Sequence, residues 1–180
     1  TMSEIRRYAA PASLNEAAEL LRDGNATLLA GGTDLMPQSK AGRVAFKPLL
    51  LSLRRIPELH GVARDGDALR IGALVTMTEL MESALVREHC PILVEAADHF
   101  ASDQVRNVAT IGGNVCNASP AGDTLVPLLA LDAEVELVAK PNGSLAERRV
   151  PIGEFFTGPG KTVRAPNEIV AALRVPIGVR

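Results

Sequence analysis

The run Thr110-Ile111-Gly112-Gly113-Asn114-Val115-Cys116-Asn117-Ala118-Ser119-Pro120-Ala121-Gly122-Asp123 holds three glycines, one proline and mostly small or short polar side chains. No helix period or strand period stands out, so it reads as a loop. Glycine has no Cβ and reaches positive φ cheaply, which lets such a loop bring its backbone close to a ligand. Asn114, Asn117, Ser119 and Asp123 add hydrogen-bonding groups. The loop is therefore the first place to look for a polar ligand.

A second glycine pair lies upstream. Leu28, Leu29 and Ala30 form a short apolar run, followed by Gly31, Gly32, Thr33, Asp34 and Leu35. Unpaired N–H groups between a strand and a helix start bind anions, and phosphate is the obvious one. The pattern is neither G-x-G-x-x-G nor a P-loop, which disfavours both of those nucleotide folds. A plain glycine turn with Asp34 in the first helical turn is the structural alternative. In the downstream run, Asp123 suits a sugar hydroxyl, while Thr110, Asn114 and Asn117 suit phosphate or sugar. A tight, self-bonded surface loop is the alternative there. Two glycine-pair turns in different parts of the chain favour a ligand held between them.

Around these turns the chain reads as ordinary core-forming elements. Ser13 and Glu16 form a capping-box pattern ahead of Leu14, Ala17, Ala18 and Leu21, one helical face. Gly24 stops that helix, residues 26–30 form a strand, and Leu49, Leu50 and Leu51 form another. This is an α/β unit with parallel strands, taken as a lobe of residues 1–55. Residues 59–63 and 68–73 read as a hairpin. Thr76 and Glu79 open a helix ending near Ser83, and residues 91–98 form the next. Thr124 caps a helix running to Leu131. Residues 133–139 alternate as a half-buried strand, paired through a turn with residues 147–150, and residues 169–175 form the last strand. Residues 56–180 thus read as a second, antiparallel-rich α+β lobe.

Composition narrows the function. A net charge of -2 and 3% aromatic residues disfavour nucleic acid as a partner. No apolar run is long enough to span a membrane. The N-terminus lacks an apolar signal core, and Thr1 ahead of Met2 reads as an added residue. Two cysteines, Cys90 and Cys116, lack metal spacing, and a reduced, cytoplasmic protein fits best. Nothing sets His60, His89 or His99 beside Cys116, so a buried, inert thiol is the reading there. Arg106 and Lys161 read as surface charges, and Asp103 and Glu95 form no acid–base pair. No catalytic residue is assigned.

Together the two glycine stretches resemble the flavoprotein subunit or domain of the molybdenum hydroxylases, the group of xanthine dehydrogenase and the medium subunit of aerobic carbon monoxide dehydrogenase. Residues 30–35, 104–109, 110–114, 117–123 and 155–162 carry the resemblance, which runs from about Tyr8 to Pro176. It implies a two-lobed α+β fold of the p-cresol methylhydroxylase type with FAD between the lobes. Leu28, Leu29, Ala30, Gly31, Gly32, Thr33, Asp34 and Leu35 would hold the diphosphate region. Thr110, Ile111, Gly112, Gly113 and Asn114 would wrap its other side and the ribityl chain, with Asn117 and Asp123 on polar groups. Phe100, Val163 and Arg164 enter through resemblance alone, Phe100 near the flavin and Val163 and Arg164 at the flavin or adenine end. The implied partners are a molybdenum cofactor-containing large subunit, a [2Fe-2S] small subunit, and NAD, dioxygen or another acceptor. Relatives carry a third lobe after a point like Pro176, which is absent here. A scaffold that keeps the fold without flavin is the alternative function.

Overall fold

The computed structural model describes residues 5–177. The first elements alternate: β1 (Arg7–Ala9), α1 (Leu14–Leu21), β2 (Ala26–Leu29), α2 (Leu35–Lys40) and β3 (Leu49–Ser52). Their strands form a parallel sheet in the order β1-β3-β2. β1 went unread because three residues are too few to display a period. At α1, Ser13 Oγ accepts from the Glu16 N–H at 3.2 Å. The Glu16 carboxylate reaches one residue farther back than a capping box requires, to the Ala12 N–H at 3.0 Å. Leu14, Ala17, Ala18 and Leu21 are buried, the face that the spacing gives.

A 3-10 turn (Pro57–Leu59) leads into β4 (Val62–Asp65) and β5 (Ala68–Gly72), so the hairpin's first strand starts later than residue 59. Five helices follow in succession: α3 (Met77–Glu82), α4 (Ala84–His89), α5 (Pro91–Asp98), α6 (Asp103–Arg106) and α7 (Ile111–Asn117). The Thr76–Glu79 capping box at α3 is complete in both directions. After α8 (Leu125–Ala130) come β6 (Glu134–Ala139), β7 (Ala146–Pro151), a one-turn α9 (Ile152–Phe155), β8 (Phe156–Gly158), β9 (Lys161–Thr162) and β10 (Ile169–Pro176). Five of these strands form an antiparallel sheet, β4-β5-β10-β6-β7.

Helix α7 corrects the reading of residues 110–117 as loop. Thr110 Oγ1 accepts from the Gly113 N–H at 3.1 Å and caps the helix. The Ile111 and Gly112 N–H groups donate to the Val75 and Ala73 carbonyls, which also fixes the first turn. Two glycines mask the apolar period and each costs about 1 kcal/mol against alanine in a helix. Tertiary packing of Ile111 and Val115, both fully buried, outweighs that. Thr124 is a second correction. It precedes α8 but makes no side-chain cap there.

The core lies on both faces of the five-stranded sheet. One cluster joins Leu69, Ile71, Val135, Leu137 and Leu173 to Leu80, Leu93, Ile111 and Leu128 of the helices. The other joins Val138, Ile169 and Ala171 to Leu14, Leu21, Leu51 and Leu59. This explains why β6 is not half-buried, as its alternation predicts. Glu136 is only 4% exposed and pairs with Arg70 at 2.8 Å, because a second layer covers the face that alternation assigns to water. Among the described residues no helix is long and apolar enough to cross a membrane.

Candidate functional site: a cleft between two glycine turns

The two glycine stretches meet, the second of them in the first turn of α7. Gly31 packs so tightly on the Val108–Ala109 backbone that a Cβ there would overlap the Val108 carbonyl oxygen. Gly112 packs on Ala73 in the same way, with a Cβ falling 2.6 Å from the Ala73 Cβ. These two glycines serve close approach of protein to protein. The cleft beside them has a volume of about 400 Å3, within the range of small-molecule sites.

Of the expected residues, Leu28, Ala30, Gly32, Thr33, Asp34, Leu35, Phe100, Thr110, Gly112, Gly113, Asn114, Asn117 and Arg164 line this cleft. Leu29, Gly31, Ile111, Asp123 and Val163 do not. Ile111 is fully buried in the core, and Asp123 is exposed on the turn before α8.

Backbone donors differ between the two walls. At α7 the N–H groups of Ile111, Gly112, Gly113 and Asn114 are taken by Val75, Ala73, Thr110 Oγ1 and Thr110. On the other wall, no described residue accepts from the N–H groups of Gly32, Thr33, Asp34 or Leu35. Those donors sit at the start of α2, where the helix dipole is positive.

Side chains complete the walls. Asn114 Oδ1 accepts from Thr124 Oγ1 at 2.6 Å and from the Thr124 N–H at 3.4 Å. Asn117 Oδ1 accepts from Gln38 Nε2 at 2.9 Å, a bond that ties α7 to α2. Gln38 escaped the sequence reading, though its place three residues after Leu35 puts it on the same helical face. Lys47 also lines the cleft, with Nζ donating to the Gly24 carbonyl at 2.5 Å.

Arg164 is held by the carbonyls of Ala165 at 3.2 Å and Glu168 at 2.7 Å. Glu168 in turn receives both arms of Arg148, at 2.5 and 2.8 Å, and the Ala165 N–H at 2.7 Å. Burial alone raises the Glu168 carboxyl. The Arg148 and Ala165 hydrogen bonds and the positive charges of Arg148 and Arg164 outweigh it and hold the pKa below its ordinary value.

Cys116 and Arg106 correct two expectations. Cys116 is open to the cleft rather than buried, whereas Cys90 is buried. The protein crowded around Cys116 raises its thiol pKa, against a lowering pull from Arg164. Arg106 is no free surface charge. It donates to the Asp98 and Phe100 carbonyls at 2.9 and 3.0 Å and pairs with Asp103, which steadies the segment carrying Phe100. Among the described residues no group of three or more His, Cys, Asp or Glu side chains is placed to hold a metal ion.

Comparison with known proteins agrees with this architecture. The chain is 39% identical over 178 residues to the xanthine dehydrogenase FAD-binding subunit of Escherichia coli O157:H7, covering 97% of this chain and 59% of that one. It is 40% identical over 172 residues to the carbon monoxide dehydrogenase medium chain of Hydrogenophaga pseudoflava, covering 94% and 58%. A solved structure of carbon monoxide dehydrogenase from Hydrogenophaga pseudoflava superposes with a TM-score of 0.90 at 36% identity, covering 99% of this chain and 61% of that chain. The chain thus spans about three-fifths of the length of these relatives. The family described as the FAD-binding domain in molybdopterin dehydrogenase matches residues 3–178. The chain belongs to that family of FAD-binding domains, whose cofactor is FAD.

Proposed function

We propose that the cleft holds FAD with its diphosphate against residues 32–35, and that the chain is the FAD-binding electron-transfer component of a molybdenum hydroxylase. The observation that carries this reading is the meeting of the two glycine turns on one cleft, one wall rich in unpaired N–H donors. A diphosphate offers only acceptors, so the donors at residues 32–35 suit it. Lys47 and Arg164 add positive charge, while Phe100, Leu53, Leu74 and Val170 offer apolar surface to a ring.

In this reading Leu28, Ala30, Gly32, Thr33, Asp34 and Leu35 hold one side of the cofactor and Thr110, Gly113, Asn114 and Asn117 the other. Leu29, Gly31, Ile111 and Val163 support these walls from behind, and Gly112 sets the approach of α7. Arg164 serves the flavin or adenine end, and Asp123 takes a hydroxyl. FAD, when bound, supplies the uptake and release of electrons. The chain's own residues bind it, orient it and keep water from its buried side. The chain divides near residue 55 into the two lobes that flank it.

The partners we propose are a [2Fe-2S] small subunit as electron donor, a molybdenum cofactor-containing large subunit where substrate is oxidised, and NAD or another acceptor downstream. The names of the relatives, a FAD-binding subunit and a medium chain, support this setting. Two free cysteines suit a reducing, cytoplasmic compartment. A fluorescence titration with FAD and riboflavin tests the site. FAD should bind and riboflavin, lacking the diphosphate, should bind far more weakly. Equal binding of the two would remove the diphosphate from the account, and binding of neither would leave only a scaffold.

A further inference from the structure

We propose that Thr124 is a positioning residue: by donating to Asn114 Oδ1 it fixes the Asn114 amide nitrogen toward the cleft as a donor to an oxygen of the bound cofactor. This rests on the FAD reading above.

An asparagine side chain carries one oxygen that accepts and one NH2 that donates, and a half-turn exchanges them. At Asn114 the exchange is blocked. The Thr124 backbone N–H, at 3.4 Å, can only donate, so the atom it faces must be the oxygen. The Thr124 hydroxyl, at 2.6 Å, reinforces the same choice. Thr124 is fully buried and its hydroxyl makes no cap for α8. That hydroxyl is committed to Asn114.

The other end of the carboxamide is the consequence. No described residue accepts from the Asn114 nitrogen, although the residue is 7% exposed. The nitrogen is not sealed inside protein, and Asn114 lines the cleft. An NH2 without a protein acceptor at such a position costs stability until a ligand takes it up. Sequence alone left Asn114 free to serve a phosphate or a sugar hydroxyl in either sense. Thr124 narrows this to an acceptor oxygen.

The test compares Asn114→Asp with Asn114→Ala, reading FAD affinity and thermal midpoint. Aspartate has the same shape and still accepts both Thr124 donors, though it brings a negative charge to a nearly buried position, so N114D should keep more of its midpoint than N114A. It offers the cleft an oxygen where the nitrogen was, and FAD affinity should fall about ten-fold. N114A loses the Thr124 bonds, so its midpoint should fall while its FAD affinity suffers less than that of N114D. A purely structural role for Asn114 gives the reverse order in affinity. Thr124→Val should weaken FAD about three-fold, with Thr124→Ser restoring it. If the parent protein takes up FAD and N114D matches it, or N114A proves the weaker binder, the inference falls and the cofactor reading stands. If the parent protein takes up no FAD, both fall.

Discussion

Cys116 shows what a single residue can report about the cleft. Its thiol is exposed there and its pKa is raised, so a thiol reagent should label it slowly at neutral pH. Bound FAD should slow the labelling further, which mass spectrometry of the tryptic peptide would follow. Labelling at one rate with and without FAD would place the cofactor elsewhere. Asp123 is exposed and stands outside the cleft lining, one residue from Thr124. If it holds a cofactor hydroxyl, Asp123→Ala should weaken FAD by roughly 1–3 kcal/mol in a titration, and an unchanged affinity removes it from the site. Glu168 adds a pH dependence. Its carboxyl pKa is lowered in the folded state, so its contribution to stability is whole above the ordinary value of 4.5 and is lost as pH falls from there through the folded value. Urea midpoints of the parent protein should drop across that window, and those of Glu168→Gln should drop less.

At the level of elements, α2 and α7 form the walls, and few contacts hold α2. It has no buried residue, and the Gln38–Asn117 bond is its side-chain tie to α7. Gln38→Ala should cost about 0.5–1.5 kcal/mol in chemical denaturation. Gly31→Ala drives a methyl into the Val108 carbonyl and pushes the two turns apart. It should cost about 1–3 kcal/mol and weaken FAD as well. Sequence patterns reached much of this level. α1 and α3 were legible because a capping side chain and an apolar face coincide, and α5 because Pro91 marks its first turn. α7 was not, because Gly112 and Gly113 break the period and Thr110 caps it without a glutamate three residues on. Once 111–117 is a helix, Cys116 joins Gly113 and Asn117 on the cleft side at spacings of three and four.

For the whole molecule, two glycine stretches remote in sequence come together at one cleft, since Gly31 and Gly112 bring both onto neighbouring backbone. The features that stayed hidden depend on tertiary layers. Glu136 is buried because the N-terminal elements cover the outer face of the sheet, which no alternation along β6 can reveal. Arg106 steadies the Phe100 segment through two carbonyls, and Lys47 reaches the cleft from the loop before β3. Every role proposed for the cleft residues requires FAD to occupy the cleft. The most direct test is the absorption spectrum, from near-ultraviolet to visible, of the purified protein after incubation with FAD and removal of the unbound cofactor by gel filtration. The prediction is a yellow protein whose flavin bands elute with the polypeptide. A colourless protein with all flavin in the small-molecule fraction would contradict it.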